Sequence, residues 1–260
     1  MIILSAKKIR EQSAEEFITK NELFIKFQII LFVVTIILFY YYFFNKQLSP
    51  TFFLFWIVII QVFLIRYSTV VVYKNILNIA LLEELDLKKY IEITVALSQK
   101  GRTKLIRREA SEATKLNEAQ LLYFKGNFQE SLDMLDTINF SQFSRLTRVG
   151  YSDLANYYRI ACKIQLRDFD GIETLVSKLK MNRKQTESII KISKGESVTF
   201  FDNWSPKWKL EKISKWYNLA LNHLNQNQPE EAKACFQEIT NENPELFYVK
   251  EAKKYLEELA

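Results

Sequence analysis

Hydrophobic and polar positions follow two regimes along the chain, with the change near residue 73. From Leu23 to Phe44 only Lys26, Gln28 and Thr35 interrupt an apolar run, which leaves about 20 residues, enough to cross roughly 30 Å of hydrocarbon as a helix. A short segment, "NKQLSP", follows. A second apolar run then extends from Thr51 to Ile65 and, beyond Arg66, to Val72. The loop is too short to hold a domain, so the two runs predict a transmembrane hairpin over 23–73, with spans at about 23–44 and 51–72. Residues 1–22 form a segment ahead of it. The first run is longer than the apolar region of a signal peptide, ends in the aromatic cluster Tyr40–Phe44 and is followed by no small-x-small site, so it is expected to stay in place.

From Asn75 onward, apolar residues recur at spacings of three and four among charged ones. Residues 75–99 predict an amphipathic helix or a closely linked pair. Three later stretches, 100–138, 151–180 and 216–244, each read as helix, short turn, helix. One such hairpin buries only part of its apolar face, so residues 74–260 are expected to stack into a small α-solenoid. Ahead of the first span, Ser13 stands three residues before Glu16, a capping-box spacing that predicts a helix start near Ala14. The chain has only five glycines and four prolines, which disfavours sheet-rich folds and leaves an all-α protein.

Charge gives the hairpin an orientation. Lys7, Lys8, Arg10, Lys20 and Lys26 precede the first span, Lys74, Lys88 and Lys89 follow the second, and only Lys46 lies between them. Both termini are therefore expected on the cytoplasmic side, with residues 40–44 as an outer aromatic belt. The net charge of +6 fits retention of these flanks. It does not argue for nucleic acid, because no DNA-binding motif and no aromatic single-strand platform accompany the cations. The short hairpin and the abundance of Ile, Lys, Asn and Phe fit a bacterial inner-membrane protein.

Within 216–244, Trp216, Leu219, Ala220 and His223 are followed by Ala232, Phe236, Ile239 and Pro244. In physical terms Ala232 is small where two helices approach closely, Phe236 fills the gap above it, and Pro244 cannot continue the preceding helix. This spacing resembles the tetratricopeptide repeat, with Ala220 in place of the usual glycine and His223 in place of tyrosine. A partial second copy has Ala119 and Leu122, the Gly126–Phe128 turn, then Ser131 and Leu135, but carries Lys115 and Glu118 at the tryptophan and leucine positions. A third keeps only Phe169, Ile172 and Val176. The resemblance implies a concave face formed by the first helix of each repeat, which would receive a protein or peptide partner. On this chain that face would carry Leu116, Gln120 and Tyr123, and Tyr217, Leu221 and Leu224. The segment from Pro244 to Leu259 would be the solvating helix at the end of the array.

Other candidate sites follow from charge and aromaticity. Arg66 inside a span is either an intramembrane contact or a side chain that reaches, with Tyr67, to the inner headgroups. Arg102, Lys104, Arg107 and Arg108 form a basic cluster suited to an anionic leaflet, as do Lys178, Lys180, Arg183, Lys184, Lys191 and Lys194. The C-terminal segment is acidic. The aromatic stretch 194–208, with Phe200, Phe201, Trp204 and Trp208, is expected to fold onto the core. The sole histidine, His223, can build neither a triad nor a two-histidine metal site. Cys162 and Cys235 have no CxxC partner, and no glycine-rich phosphate loop is present. No catalytic, metal or cofactor site is expected, and an enzyme is disfavoured. Two functional readings remain: a membrane-anchored adaptor or scaffold that binds a protein or peptide through the solenoid, and a non-enzymatic accessory or immunity-type subunit of a transporter or pore that acts through the hairpin.

Overall fold

Every regular element is a helix among the residues described by the computed structural model, 14–67, 72–99 and 104–259. Ser13 of the expected capping box lies outside them. The chain divides into two compact units, with the boundary between Ala96 and Leu97.

In the first unit, helix α1 (Ala14–Phe44) runs for 31 residues and a tight turn leads into α2 (Leu48–Arg66). Lys46 at that turn takes a left-handed φ of 55°. The windows Ile18–Phe44 and Leu48–Ile65 are long and apolar enough to cross a membrane, and only 11% of each is buried. Ile30, Ile37, Phe52, Phe53 and Phe63 are all exposed. A helix keeps its backbone hydrogen bonds within the segment, which makes such a sequence compatible with lipid. Between the helices runs a polar seam. Asn21, Gln28 and Thr35, seven residues apart on α1, are buried, as is Gln61 on α2. Gln61 Nε2 donates to Thr35 Oγ1 at 3.0 Å, and the Thr35 hydroxyl donates to the Leu31 carbonyl at 2.8 Å. After α2 come α3 (Val72–Asn78), a π-helical turn (Ile79–Glu83) and α4 (Leu87–Gln99). Helix α2 takes the second apolar run as far as Arg66, and residues 68–71 of that run lie outside the described residues.

The second unit contains α5 (Lys104–Lys125), α6 (Phe128–Asp136), α7 (Arg145–Gln165), α8 (Ile172–Lys178), α9 (Arg183–Ser193), the short α10 (Phe200–Asn203), α11 (Lys209–Asn225), α12 (Pro229–Gln237) and α13 (Phe247–Glu258). The expected helix–turn–helix stretches correspond to α5–α6, α7–α8 and α11–α12. Small residues sit where those helices meet: Ala119, Ser131, Ala220 and Ala232 are fully buried, and Ser131 Oγ donates to the Ala119 carbonyl at 2.7 Å. Leu135 and Phe236 fill the space beside them with no exposure. The α7–α8 pair has its own apolar cluster of Ile160, Ile164, Ile172, Val176 and Leu179.

The C-terminal helix departs from expectation. It does not end the array as a solvated cap. Helix α5 packs on α7, α7 on α9, α9 on α11, α11 on α13, and α13 returns to α5. Phe247, Tyr248, Val249 and Ala252 of α13 are buried at or below 5% exposure. Phe247 lies so close to the α5–α6 turn that a Cβ on Gly126 would meet its own Cβ at 3.4 Å, and Gly126 also has φ +92°. Two further bonds seal this junction: Lys250 Nζ donates to the Lys125 carbonyl at 3.0 Å, and Lys125 pairs with Glu245 at 3.8 Å. The inner helices therefore close on themselves, because an aromatic pair near the end of the chain finds its apolar surroundings at the start of the unit. Replacing Phe247 with alanine should cost about 3–5 kcal/mol, the usual penalty for a buried phenylalanine. Thermal unfolding of the full chain in mild detergent, followed by tryptophan fluorescence, checks this; a change within about 0.5 kcal/mol, as for an exposed site, would show that α13 does not close the unit.

Candidate interaction surface

The four residues Leu116, Gln120, Tyr123 and Tyr217 of the expected concave face are buried, while Leu221 and Leu224 are half-buried. Of this set, Tyr123 and Tyr217 lie directly against Phe247 of α13, so their rings are taken up by the unit's own packing. Tyr123 is the hub. Its ring meets Phe124, Phe128, Tyr158 and Phe247 at centroid distances of 5.3, 5.6, 5.3 and 5.1 Å. Tyr217 meets Phe236, Phe247 and Tyr248 at 6.1, 6.0 and 5.2 Å. Apart from the tilted Tyr123–Phe128 pair, these are edge-on arrangements, which suit aromatic quadrupoles. The phenol oxygens of Tyr123 and Tyr248 are 3.4 Å apart, and Tyr248 Oη donates to Ser214 Oγ at 3.4 Å. A cleft remains between α5, α7 and α9, lined by Tyr123, Tyr157, Ile160, Ile164, Gln165 and Thr186. Its enclosed space takes a single water-sized group, not a peptide side chain.

The basic candidates spread over both units. Arg66 is the last residue of α2, and Arg102 lies outside the described residues. Lys104 and Arg107 fall in the first turn of α5, and Arg108 is exposed. In the second basic cluster, Lys178, Lys180, Arg183, Lys184, Lys191 and Lys194 are all exposed.

Several residues that organise the unit carry no chemistry-bearing motif. Asn222, buried on α11, clamps the aromatic stretch: its Oδ1 accepts from the Val198 amide at 2.8 Å and its Nδ2 donates to the Val198 carbonyl at 2.9 Å. Asn225 donates to the Ile192 and Glu196 carbonyls at 2.8 and 3.1 Å, and Lys215 Nζ to the Trp204 carbonyl at 2.6 Å. With Phe201 fully buried, the stretch 194–208 lies on the core. Asp153 on α7 is buried and accepts from the Lys180 and Met181 amides at 2.6 and 3.1 Å. The sequence signal for both is a short polar side chain on the apolar face of an amphipathic helix, a position that demands a partner.

The reactive side chains are occupied by packing. Burial pushes the Cys162 and Cys235 thiols up to about 11, and Cys162 Sγ donates to Ser131 Oγ at 3.3 Å. His223 Nδ1 lies 2.8 Å from Gln228 Oε1. Among the described residues, no three His, Cys, Asp or Glu side chains are arranged to hold a metal ion. The chain matches no protein-family model, no curated protein and no solved structure.

Two outcomes follow from the buried groups. Burial raises the phenol pKa of Tyr123, Tyr157, Tyr217 and Tyr248 in the folded state. A raised folded pKa gives stability that is complete below the unfolded value, about 10, and is lost as pH climbs above it. Tyrosinate absorbance at 295 nm should therefore rise together with loss of helicity above about pH 10, and ionisation of these tyrosines without unfolding would contradict their burial. At pH 8, a thiol with a pKa near 11 is about 0.1% thiolate. Both cysteines should react with an aromatic disulfide only after denaturation.

Proposed function

We propose that the chain is a membrane-anchored adaptor whose helical unit holds a protein partner on its outer surface. The observation that carries this reading is the pairing, in one chain, of two long helices with outward-facing apolar side chains and a helical unit whose interior is filled by its own aromatic residues. Apolar surface of that extent is stable only when lipid or another apolar partner covers it. The distribution of cations supports a hairpin with both ends in the cytoplasm. The Trp216–Pro244 pattern supports a tetratricopeptide-like origin for the helical pairs. With the interior taken, partner contact falls to exposed positions and not to the inner faces of α5 and α11. Tethering confines such a binder to two dimensions and raises its effective concentration for partners at the same membrane.

A second reading has its own observation. In the hairpin, Gln28 Oε1 and Gln61 Oε1 are buried without a hydrogen-bond partner, and in an apolar surrounding such carbonyls favour association with a helix that brings a donor. The hairpin would then be the working part, as an accessory subunit of a larger membrane assembly. To separate the two, residues 14–67 are replaced by an unrelated two-span hairpin and partners are captured by crosslinking in intact cells. An adaptor keeps its partners after the exchange and also tolerates Arg66→Leu. Loss of every partner on exchange, with the helical unit still folded, would sink the adaptor reading in favour of the intramembrane one.

A further inference from the structure

The turn between α8 and α9 combines three properties found together at no other described turn. It is strongly basic: from Lys178 to Lys194 there are six cations and one carboxylate, Glu187, a net charge of +5. Glu187 is already paired with Arg183 at 2.9 Å. It is also apolar at its tip, since Met181 is 63% exposed. And it is rigidly held. Leu179 is buried in the α7–α8 cluster, and both oxygens of Asp153 are occupied by the Lys180 and Met181 amides. Asn182 takes a left-handed φ of 57°, and its carbonyl accepts from the Thr186 hydroxyl at 2.9 Å.

These restraints fix the backbone on both sides of Met181 and leave its side chain outside, which is not how a methionine is spent when a core site is at hand. Lys178, Lys180 and Lys184 flank Met181 within three residues of sequence, with Lys191 two turns along α9 from Lys184; all four are exposed. We propose that this Met181-tipped turn is a docking element for an anionic lipid surface. The methionine would enter the interfacial region while the lysines meet phosphate headgroups, the combination that binds peripheral segments to acidic leaflets. A protein partner fits the chemistry less well. The turn's exposed apolar surface is a single methionine, and lysine is depleted from protein interfaces.

The proposal rests on the reading that the chain is held in a bilayer, and the test keeps the two apart. The full chain, with Met181→Cys labelled by a polarity-sensitive fluorophore, is placed in nanodiscs of phosphatidylcholine alone or with phosphatidylglycerol; the native thiols are buried and do not compete for label. Anionic discs should blue-shift the emission and cut quenching by aqueous iodide severalfold, whereas a label at Glu230→Cys on α12 should not respond. Lys178→Glu, Lys180→Glu and Lys184→Glu combined should abolish the response, and so should high salt. Equal quenching in both disc types, or equal protection in both, overturns the proposal. So does a probe that stays wet while charge reversal strips a crosslinked protein from the chain, since the patch then belongs to an acidic protein. A chain that fails to enter discs at all defeats the membrane anchoring instead, and anionic vesicles added from outside then test the turn on its own, with an unshifted probe counting against it.

Discussion

The helical unit depends on the insertion of Phe247 and Tyr248 between the first and last helical pairs. Without them α5 and α11 would face each other across an open groove lined by Tyr123, Phe128 and Tyr217. With them the groove becomes an interior, in which Phe247 touches Tyr123, Phe128 and Tyr217 and Tyr248 bridges by its hydroxyl to Tyr123 and Ser214. Magnitude decides whether α13 is a removable plug or a part of the fold. Exposing Phe247, Tyr248 and Val249 would forfeit about 1.5–3 kcal/mol each. That sum approaches the whole binding free energy of a micromolar ligand, about 8 kcal/mol. An incoming peptide would spend nearly all its affinity on displacement, so α13 belongs to the fold.

That closure changes where the polar residues must work. Once aromatic rings fill the centre, each buried polar group needs a partner close by, and the chain supplies it from the backbone of a neighbouring segment. Asn222 and Asn225 answer the carbonyls and amide of the 192–198 stretch, and Asp153 answers the amides at 180 and 181. All three act across 24 residues or more of sequence, which converts irregular connections into fixed surfaces. A satisfied buried amide adds about 1 kcal/mol, but removing its partner costs the full desolvation of what remains. These clamps therefore specify loop placement more than they add stability.

How much of this was legible in the sequence follows the range of each interaction. Periodicity is local, so the helices, the hairpin of α1 and α2, and the close-packed pairs at Ala119–Ser131 and Ala220–Ala232 could be read directly. The burial of Phe201 followed from the general rule that clustered aromatics find a core. Closure could not be read, because it depends on contacts between Tyr123 and Tyr248 at a separation of 125 residues, and repeat spacing says nothing about whether an array stays open. The same omission bears on the candidate face: Leu116, Gln120, Tyr123 and Tyr217 are buried, and the rings of Tyr123 and Tyr217 are packed by Phe247. Asn222 and Asp153 did leave a signal, a polar residue on an apolar stripe, although only the fold names their partners.

The hairpin follows a different physical logic. For a hairpin held in lipid, as proposed, apolar side chains gain nothing by pairing with each other instead of with acyl chains, so α1 and α2 would not rely on the effect that closes the second unit. What remains is the short turn at Lys46, close packing at Ile25 and Leu54, and the hydrogen bond from Gln61 to Thr35. In that setting such a bond contributes about 0.6–2 kcal/mol, a small amount that nonetheless fixes rotation, because only one face of each helix carries it. The heptad spacing of Asn21, Gln28 and Thr35 keeps these polar groups on one face of α1, and from Phe27 to Phe44 every residue other than Gln28 and Thr35 is apolar or aromatic. A hairpin built this way is held by few contacts on its inner side and leaves its apolar outer side exposed, as the proposed membrane anchor requires.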